Sequence, residues 1–206
     1  GGFVYNFYSG SSIKFLYGEA FRSPTPQEQY FAVPNVVQGA DVIGNKLDPE
    51  KIKTSEIAWD QTFLKKYQFR VNYFITEIED IISRRNPSET EIEKLGNKGL
   101  IYDNLGKQNI QGMEFELKGY PNKSISFFIN GSYKTGKNKE TDEDIPFMAN
   151  FTTNGGFKYK PIKNIDIIPN IQYVGEREGF LVSGEKNTVD AYYLFNCVFN
   201  YYYQEL

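Results

Sequence analysis

The feature that most constrains this chain is a regular alternation of apolar and polar residues along most of its length. Met113, Phe115 and Leu117, for example, alternate with Glu114 and Glu116. A period of two predicts β-strands with one apolar face, and we count about nine such segments. Each runs for roughly 10 to 15 residues, which exceeds the usual strand of a soluble sheet and suffices for the ~9–11 residues that cross a bilayer.

The connections between these strands alternate between short and long without exception. The short ones are tight turns at Ser9–Ser11, Lys65–Tyr67, Pro121–Lys123 and Pro161–Asn164. The long ones cover about residues 23–52, 85–107, 137–147 and 178–188. An up-and-down membrane barrel places tight turns at one rim and long loops at the other, whereas a Greek-key sandwich gives no reason for this order. We therefore predict an all-β, antiparallel up-and-down transmembrane β-barrel. Because bacterial barrels close on even strand numbers, about nine strands are expected to be an incomplete segment.

Composition excludes several kinds of site. The sequence has no histidine and one cysteine, Cys197, which excludes histidine-based triads, histidine metal ligands, internal disulfides and cysteine zinc clusters. The net charge is −3, so no overall positive field attracts nucleic acid. No apolar run approaches about 18 residues, so no transmembrane helix is predicted. Aromatic residues make up 17% of the chain, as expected where rings line membrane interfaces.

The alternation assigns residues to two faces of the predicted barrel. The lipid-facing positions are Phe15, Tyr17, Trp59, Tyr73, Phe115, Phe127, Tyr173 and Phe195. The lumen-facing wall is expected to consist of Lys14, Glu56, Asp60, Arg70, Glu114, Glu116, Lys118, Lys134 and Asp166. Aromatic side chains outside and charged side chains inside are typical of such barrels. The alternative is a soluble sheet that buries the aromatic face against a second layer.

Three motifs could carry chemistry, and each has a simpler explanation. Glu114 and Glu116 point to the same side of one strand, as an acid–base pair would, but Lys118 in the same row favours an ion-paired wall. The segment Gly131–Asn138 resembles a phosphate-binding loop, yet asparagine follows its lysine and no helix is expected after it. The acidic run Asp142–Asp144 lacks the ligand spacing of an EF-hand. No catalytic residue, cofactor or metal site is predicted.

Several segments, in order along the chain, resemble TonB-dependent outer-membrane receptors. They are Tyr17–Pro24 with Leu47–Lys51, Tyr73–Ile82, Tyr102–Gly106 with Gly112–Glu116, Ile145–Asn150, and Tyr173–Glu178 with Asp190–Tyr192. Each motif alone is weakly specific, whereas the ordered set extends over nearly the whole chain.

The resemblance implies a bacterial outer-membrane barrel of about 22 strands that is plugged by an N-terminal domain. Such receptors import scarce ligands (ferric siderophores, haem or cobalamin) with energy delivered by TonB. Residues 1–206 would be a partial barrel domain, about strands 12 to 20, with the plug and the closing strands absent from this sequence. The implied partners are outer-membrane lipid, the TonB complex acting through the plug, and a small metal chelate, most simply a ferric siderophore. No enzymatic activity, cofactor or nucleic acid is implied.

The longest connection, which follows Arg22, is expected to form part of a ligand vestibule. Its candidate residues are Arg22, Gln27, Gln29, Tyr30, Phe31, Asn35 and Gln38. In the second long connection, Ser88 and Glu91 form a capping box that predicts one helical turn through Leu95. Two other functions stay open, a passive outer-membrane porin or channel and a soluble carbohydrate-binding β domain. A barrel enzyme would lack the usual histidine base.

Overall fold

Long antiparallel strands dominate the fold, as the alternation predicts. The computed structural model describes residues 1–96, 98–180 and 185–203. Nine of its strands form one large sheet: β1 (Gly2–Tyr8), β2 (Ser11–Arg22), β5 (Glu50–Phe63), β6 (Tyr67–Glu79), β9 (Gln108–Asn122), β10 (Ile125–Asn138), β11 (Phe151–Ile162), β12 (Ile165–Val174) and β15 (Tyr192–Tyr201). Their order in the sheet is β1-β2-β5-β6-β9-β10-β11-β12-β15. The predicted all-β class and strand count are confirmed, and the described sheet is open, with β1 and β15 at its edges.

Each strand of the large sheet pairs with its neighbour through a long register. One row across the sheet consists of Phe15, Ile57, Tyr73, Met113 and Tyr133. The adjacent row consists of Lys14, Ala58, Asn72, Glu114 and Ser132. Because side chains alternate between faces, this register keeps the aromatic row on one face and the polar row on the other.

Tight turns join the strands at one end of the large sheet, at the four places predicted. At the first turn Gly10 has φ +81°, and a Cβ there would lie 2.7 Å from the carbonyl oxygen of Thr62, so glycine is required. In the second turn Leu64 and Lys65 adopt left-handed backbone, with φ of 51° and 52°. That conformation costs roughly 1–2 kcal/mol for each residue that has a Cβ.

The two longest connections fold together at the opposite end, and we call residues 23–49, 80–96 and 98–107 the loop layer. Its elements are α1 (Pro26–Tyr30), β3 (Ala32–Val33), β4 (Val37–Gln38), a 3₁₀ turn (Ala40–Ile43), β7 (Ile82–Arg85), α2 (Glu89–Leu95) and β8 (Leu100–Asn104). The four strands form a small sheet in the order β3-β4-β8-β7, in which β4 and β8 are parallel. A core of Ala40, Leu47 and Ile82, with Tyr102 packed against it, lies within this layer.

The remaining long connections are simpler. The connection between β10 and β11 contains an isolated β-bridge between Lys137 and Asp144. The connection between β12 and β15 contains the antiparallel pair β13 (Arg177–Phe180) and β14 (Lys186–Val189). The predicted helical turn is confirmed as α2, with Ser88 as its N-cap and Glu91 completing the capping box. No helix within the described ranges is long and apolar enough to span a membrane.

Candidate functional site

Arg22, the last residue of β2, joins three elements at the base of the loop layer. Its Nε and Nη2 donate to the two carboxylate oxygens of Glu50 at 2.6 and 2.8 Å. Its Nη1 donates to the carboxylate of Glu28 in α1 at 3.0 Å. A guanidinium bound at both edges holds two carboxylates in one plane, a strong and geometrically specific contact. Arg22 therefore ties the end of β2 to the start of β5 and to α1.

The short helix α1 is fixed by its first turn. Thr25 accepts a hydrogen bond from the Glu28 amide, and the Glu28 carboxylate accepts one from the Thr25 amide at 2.7 Å. Partial burial alone would raise the pKa of Glu28, but the hydrogen bonds from Thr25 and Arg22 lower it overall. Glu28 thus stays ionised and holds the helix against the base of the loop.

Two of the seven vestibule candidates lie inside the loop layer, where no ligand reaches them in this conformation. Gln29 is 7% exposed and Gln38 is 1% exposed. The Gln29 amide donates to the Asn45 carbonyl at 2.9 Å and accepts from the Leu47 amide at 3.0 Å. A buried polar side chain must satisfy its hydrogen bonds. Gln29 does so by joining α1 to Asn45 and Leu47, which follow the 3₁₀ turn, so its role is structural.

Four of the other candidates lie on the surface of the loop layer. Gln27 and Asn35 are exposed, and Tyr30 and Phe31 are 68% and 48% exposed. Asn35 has φ +59° and its side chain accepts a hydrogen bond from the Lys98 amide, which joins the first long connection to the second. The two aromatic residues therefore present exposed rings on the surface of this connection.

The two long connections are joined by side chains that the sequence did not single out as site residues. Asn104 donates to the carbonyls of Asp48 and Asp80 at 3.0 and 2.6 Å, and it accepts from the Asp48 amide at 2.7 Å. Asn45 donates to Asp103 at 3.0 Å. Asp103 and Asn104 lie in the family-like motif Tyr102–Gly106, so a signal for this contact was present in the sequence.

Arg85 adds ion pairs within the second long connection, to the same Asp103 that Asn45 of the first connection contacts. It binds both carboxylate oxygens of Glu91 at 2.8 Å and one oxygen of Asp103 at 2.8 Å. The hydrogen bonds from Arg85, followed by those from Ser88, lower the pKa of Glu91 to about 2. The ion pairs correspondingly raise the pKa of Arg85. The two connections therefore form one cross-linked unit.

The predicted lumen residues all lie on the polar face of the large sheet. Asp60 bridges Lys14 at 2.7 Å and Arg70 at 2.5 Å, and Lys118 pairs with Glu116 at 2.8 Å. This face contains a hollow of about 630 Å³, whose lining includes Lys14, Glu56, Arg70, Asn72, Glu114 and Glu116. Because Glu116 is already paired with Lys118, the two glutamates are not an isolated acid–base pair.

Asp166 is the most deeply buried charge on the polar face, with 1% of its surface exposed. Its carboxylate lies 2.6 Å from Lys158 Nζ and accepts a hydrogen bond from Tyr202 at 3.0 Å. Lys160 lies 3.9 Å from the same carboxylate. A buried carboxylate needs such partners. Asp166 therefore joins β11, β12 and the residue that follows β15.

The predicted lipid-facing residues all lie on the opposite face, where most large apolar side chains are exposed. Tyr173 contacts Tyr193 with 4.8 Å between ring centroids, and Trp59 contacts Phe69 at 5.7 Å. Cys197 is exposed on this face as well. No group of three or more acidic or cysteine side chains that could hold a metal ion occurs in the described part of the chain. The structure thus separates an aromatic face, a charged face and a loop layer.

Comparison with known proteins identifies the family to which the chain belongs. The family model described as TonB dependent receptor-like, beta-barrel matches residues 1–204. No curated protein sequence matches the chain.

Solved structures share the fold at low sequence identity. The ferric enterobactin receptor PfeA (mutant G324V) from Pseudomonas aeruginosa has a TM-score of 0.78 and 13% identity over 99% of this chain and 32% of its own. The siderophore receptor PirA from Acinetobacter baumannii has a TM-score of 0.75 and 17% identity over 98% of this chain and 34% of its own. The copper transporter OprC has a TM-score of 0.72 and 14% identity, covering 95% and 30%. The chain spans about a third of the length of these proteins. It belongs to the TonB dependent receptor-like β-barrel family.

Proposed function

We propose that the chain forms part of the wall and outer loops of an outer-membrane receptor that takes up a small metal chelate, such as a ferric siderophore, with energy from TonB. The observation that carries the proposal is the division of one sheet into an exposed aromatic face and an ion-paired polar face. An aromatic face of this kind suits lipid, and a charged face suits a barrel lumen. The family of the chain supports the same location and energy source.

The ligand class is supported by what the structural relatives share. PfeA is named a ferric enterobactin receptor, PirA a siderophore receptor and OprC a copper transporter. A metal, free or chelated, is common to the three names. The exposed Tyr30 and Phe31 in the loop layer offer flat apolar surfaces, which suit an aromatic chelator better than a hydrated ion.

The mechanism is binding and release without covalent chemistry. The carboxylates Asp60, Glu116 and Asp166 are each held by lysine or arginine, so they act as wall residues and do not serve as acids or bases. TonB would act through a plug domain that fills the lumen against this polar wall. Outer-membrane lipid would cover the aromatic face.

The test is uptake in the native host. The gene that encodes this chain is deleted and restored, and uptake of ⁵⁵Fe bound to catecholate or hydroxamate siderophores is measured with and without a functional TonB. Restored uptake that requires TonB is the expected result. Uptake that continues without TonB identifies a passive channel and contradicts the proposal, as does recovery of the protein outside the outer-membrane fraction.

A second measurement tests the loop candidates. The double change Tyr30→Ala and Phe31→Ala should weaken binding of the transported chelate. The matched control is Leu64→Ala, which removes another exposed apolar side chain at the tight-turn end. Equal affinity in both variants would remove Tyr30 and Phe31 from the binding surface.

A further inference from the structure

Three of the four tight turns of the large sheet carry lysines that no described carboxylate neutralises. Four lysines lie in or beside them, and all four are exposed: Lys65, Lys66, Lys123 and Lys163. The surrounding stretches, residues 61–69, 119–126 and 159–165, contain no aspartate or glutamate. Among the described residues, no carboxylate forms an ion pair with any of the four. We call these four residues the basic rim.

The opposite end of the same sheet is different. There the strand-end lysines are matched by carboxylates: Lys51 pairs with Asp80 at 3.1 Å, Lys107 with Glu79 at 3.1 Å and Lys139 with Glu77 at 3.0 Å. The strand-end lysines near the loop layer are therefore neutralised, whereas the four lysines of the basic rim have no ion-pair partner in the part of the chain that the structure describes. Unpaired charges along one edge create a positive electrostatic potential there, whereas the ion pairs at the other end cancel most of theirs.

The turns that carry the basic rim are in contact with one another. Lys66 Nζ donates to the Pro121 carbonyl at 2.7 Å, and the Tyr120 amide donates to the Lys66 carbonyl at 2.8 Å. The Lys160 amide donates to the Ser124 carbonyl at 2.8 Å. The second, third and fourth turns thus form a continuous edge, so their lysines act on the same surface.

Aromatic rings border this edge on the outward face. Phe63 stacks on Tyr67 with 5.2 Å between centroids, and Tyr67 contacts Phe127 at 6.3 Å. Gly119 makes the row possible, because a Cβ there would lie 2.3 Å from the Phe127 ring and 3.0 Å from the Tyr67 ring. Rings next to lysines are typical of the level where hydrocarbon meets lipid headgroups.

We propose that the basic rim docks on anionic phospholipid headgroups in the membrane leaflet at the tight-turn end of the barrel. The lysine ammonium groups would contact the phosphates while the bordering rings lie at the interface below them. A lysine near an anionic bilayer surface strengthens binding by about fivefold. An acidic protein would also be attracted by the rim, but the aromatic row on the outward face favours lipid. This inference rests on the proposed membrane location.

The test measures lipid that remains bound to the protein. The protein is extracted from outer membranes in a mild detergent, and the ratio of phosphatidylglycerol and cardiolipin to phosphatidylethanolamine in the bound lipid is compared with that of the membrane. The basic rim predicts enrichment of the anionic lipids by severalfold. The enrichment should decline at an ionic strength of about 1 M, where the screening length is only about 3 Å.

The decisive variant combines Lys65→Gln, Lys123→Gln and Lys163→Gln, and it leaves Lys66 in place because that side chain joins two turns. The matched control combines Lys51→Gln, Lys53→Gln and Lys107→Gln, which removes the same charge from the other end. Those lysines belong to exposed ion pairs, which contribute little to stability. The rim variant should lose the enrichment and the control should keep it, and β-sheet content by circular dichroism checks that both are folded.

Each other outcome overturns the inference. If the unaltered protein holds lipids in the membrane ratio, or if both variants lose the enrichment equally, the basic rim is not a lipid site. If the rim variant loses an acidic protein partner while its bound-lipid ratio stays unchanged, the basic rim binds that partner and not lipid. Failure of the protein to fractionate with the outer membrane would contradict the proposed function itself, whereas failure of enrichment alone would not.

Discussion

The large sheet and the loop layer are stabilised in opposite ways. The large sheet repeats one backbone ladder through eight strand pairs, so that no single polar side chain determines its fold. The loop layer has strands of two to five residues and a small core, and it depends on Arg22, Gln29, Arg85 and Asn104. The effect of a substitution in the sheet on stability should therefore depend on which face the side chain occupies. The effect of a substitution in the loop layer should depend on the single contact that is lost.

The largest expected effect is a charge placed on the aromatic face of the sheet. Phe115→Arg should destabilise the membrane-inserted protein by about 2–4 kcal/mol, because arginine at mid-bilayer depth is costly on the lipid side. The measurement is denaturant unfolding in lipid vesicles. The control is Ser132→Arg on the polar face, next to the Gly131 that pairs with Phe115. Equal costs on the two faces would contradict the assignment of lipid to the aromatic face.

In the loop layer, Arg85→Gln should have the next largest effect. Removing the charge that holds two carboxylates leaves Glu91 and Asp103 without their cationic partner, which costs about 1.5–3 kcal/mol. Hydrogen exchange of β8 amides should accelerate while exchange in β5 and β6 stays unchanged. Arg84→Gln is the matched control, because Arg84 is exposed and precedes Arg85 on the same strand. Faster exchange throughout the sheet would show that the two regions are not independent.

Gly39→Ala should have an effect of similar or smaller size. A Cβ at Gly39 would lie 2.6 Å from the backbone of Gln29 and Tyr30, and backbone atoms cannot move aside cheaply. Overpacking of this kind costs about 1–3 kcal/mol, and limited proteolysis of residues 23–49 should report it. Gly18→Ala serves as the control, because nothing lies within 4 Å of the Cβ position there. Equal proteolysis of the two variants would disprove the close packing of α1.

The smallest expected effect is a pH dependence of α2. Since the pKa of Glu91 is lowered to about 2 from the ordinary 4.5, its ion pair contributes fully above about pH 4.5 and is lost as the pH falls towards 2. Cleavage of residues 80–107 by pepsin should therefore increase below about pH 3. In Glu91→Gln, cleavage should be high already at pH 4. If the pH dependence of cleavage is the same in that variant, the Glu91–Arg85 ion pair does not stabilise α2.

Much of the sheet could be predicted because its signal is repeated. Alternation in Met113–Leu117 and similar segments places every residue of a strand on one face or the other. An error of one or two residues in the position of a turn leaves these face assignments unchanged. The alternation of short and long connections predicted the up-and-down order of the strands, which the structure confirms. For the same reason the two predicted faces contain the expected residues, although their contact with lipid and lumen stays a prediction.

The loop layer could be predicted only in part, because its contacts are not periodic. The capping box at Ser88 is a local signal, and α2 follows from it. The pairing of β4 with β8 joins segments far apart in sequence, and strands of two residues leave no alternation to detect. Gln29 is predicted as a vestibule residue because it is polar and lies in a loop, whereas its burial and its hydrogen bonds with Asn45 and Leu47 place it in the interior.

The junction of the two long connections bears on the order of folding. Asn45 and Asp103 are 58 residues apart in sequence, and the β5–β6 hairpin lies between them. Bringing such distant segments together is entropically costly unless the intervening chain is already paired. The hairpin pairs Lys51 with Glu79 and so delivers both segments to the same place. The loop layer should thus assemble late, and a slip of the hairpin by one residue would keep it from closing. A protease-resistant loop layer would therefore indicate that β5 and β6 are paired in the correct register.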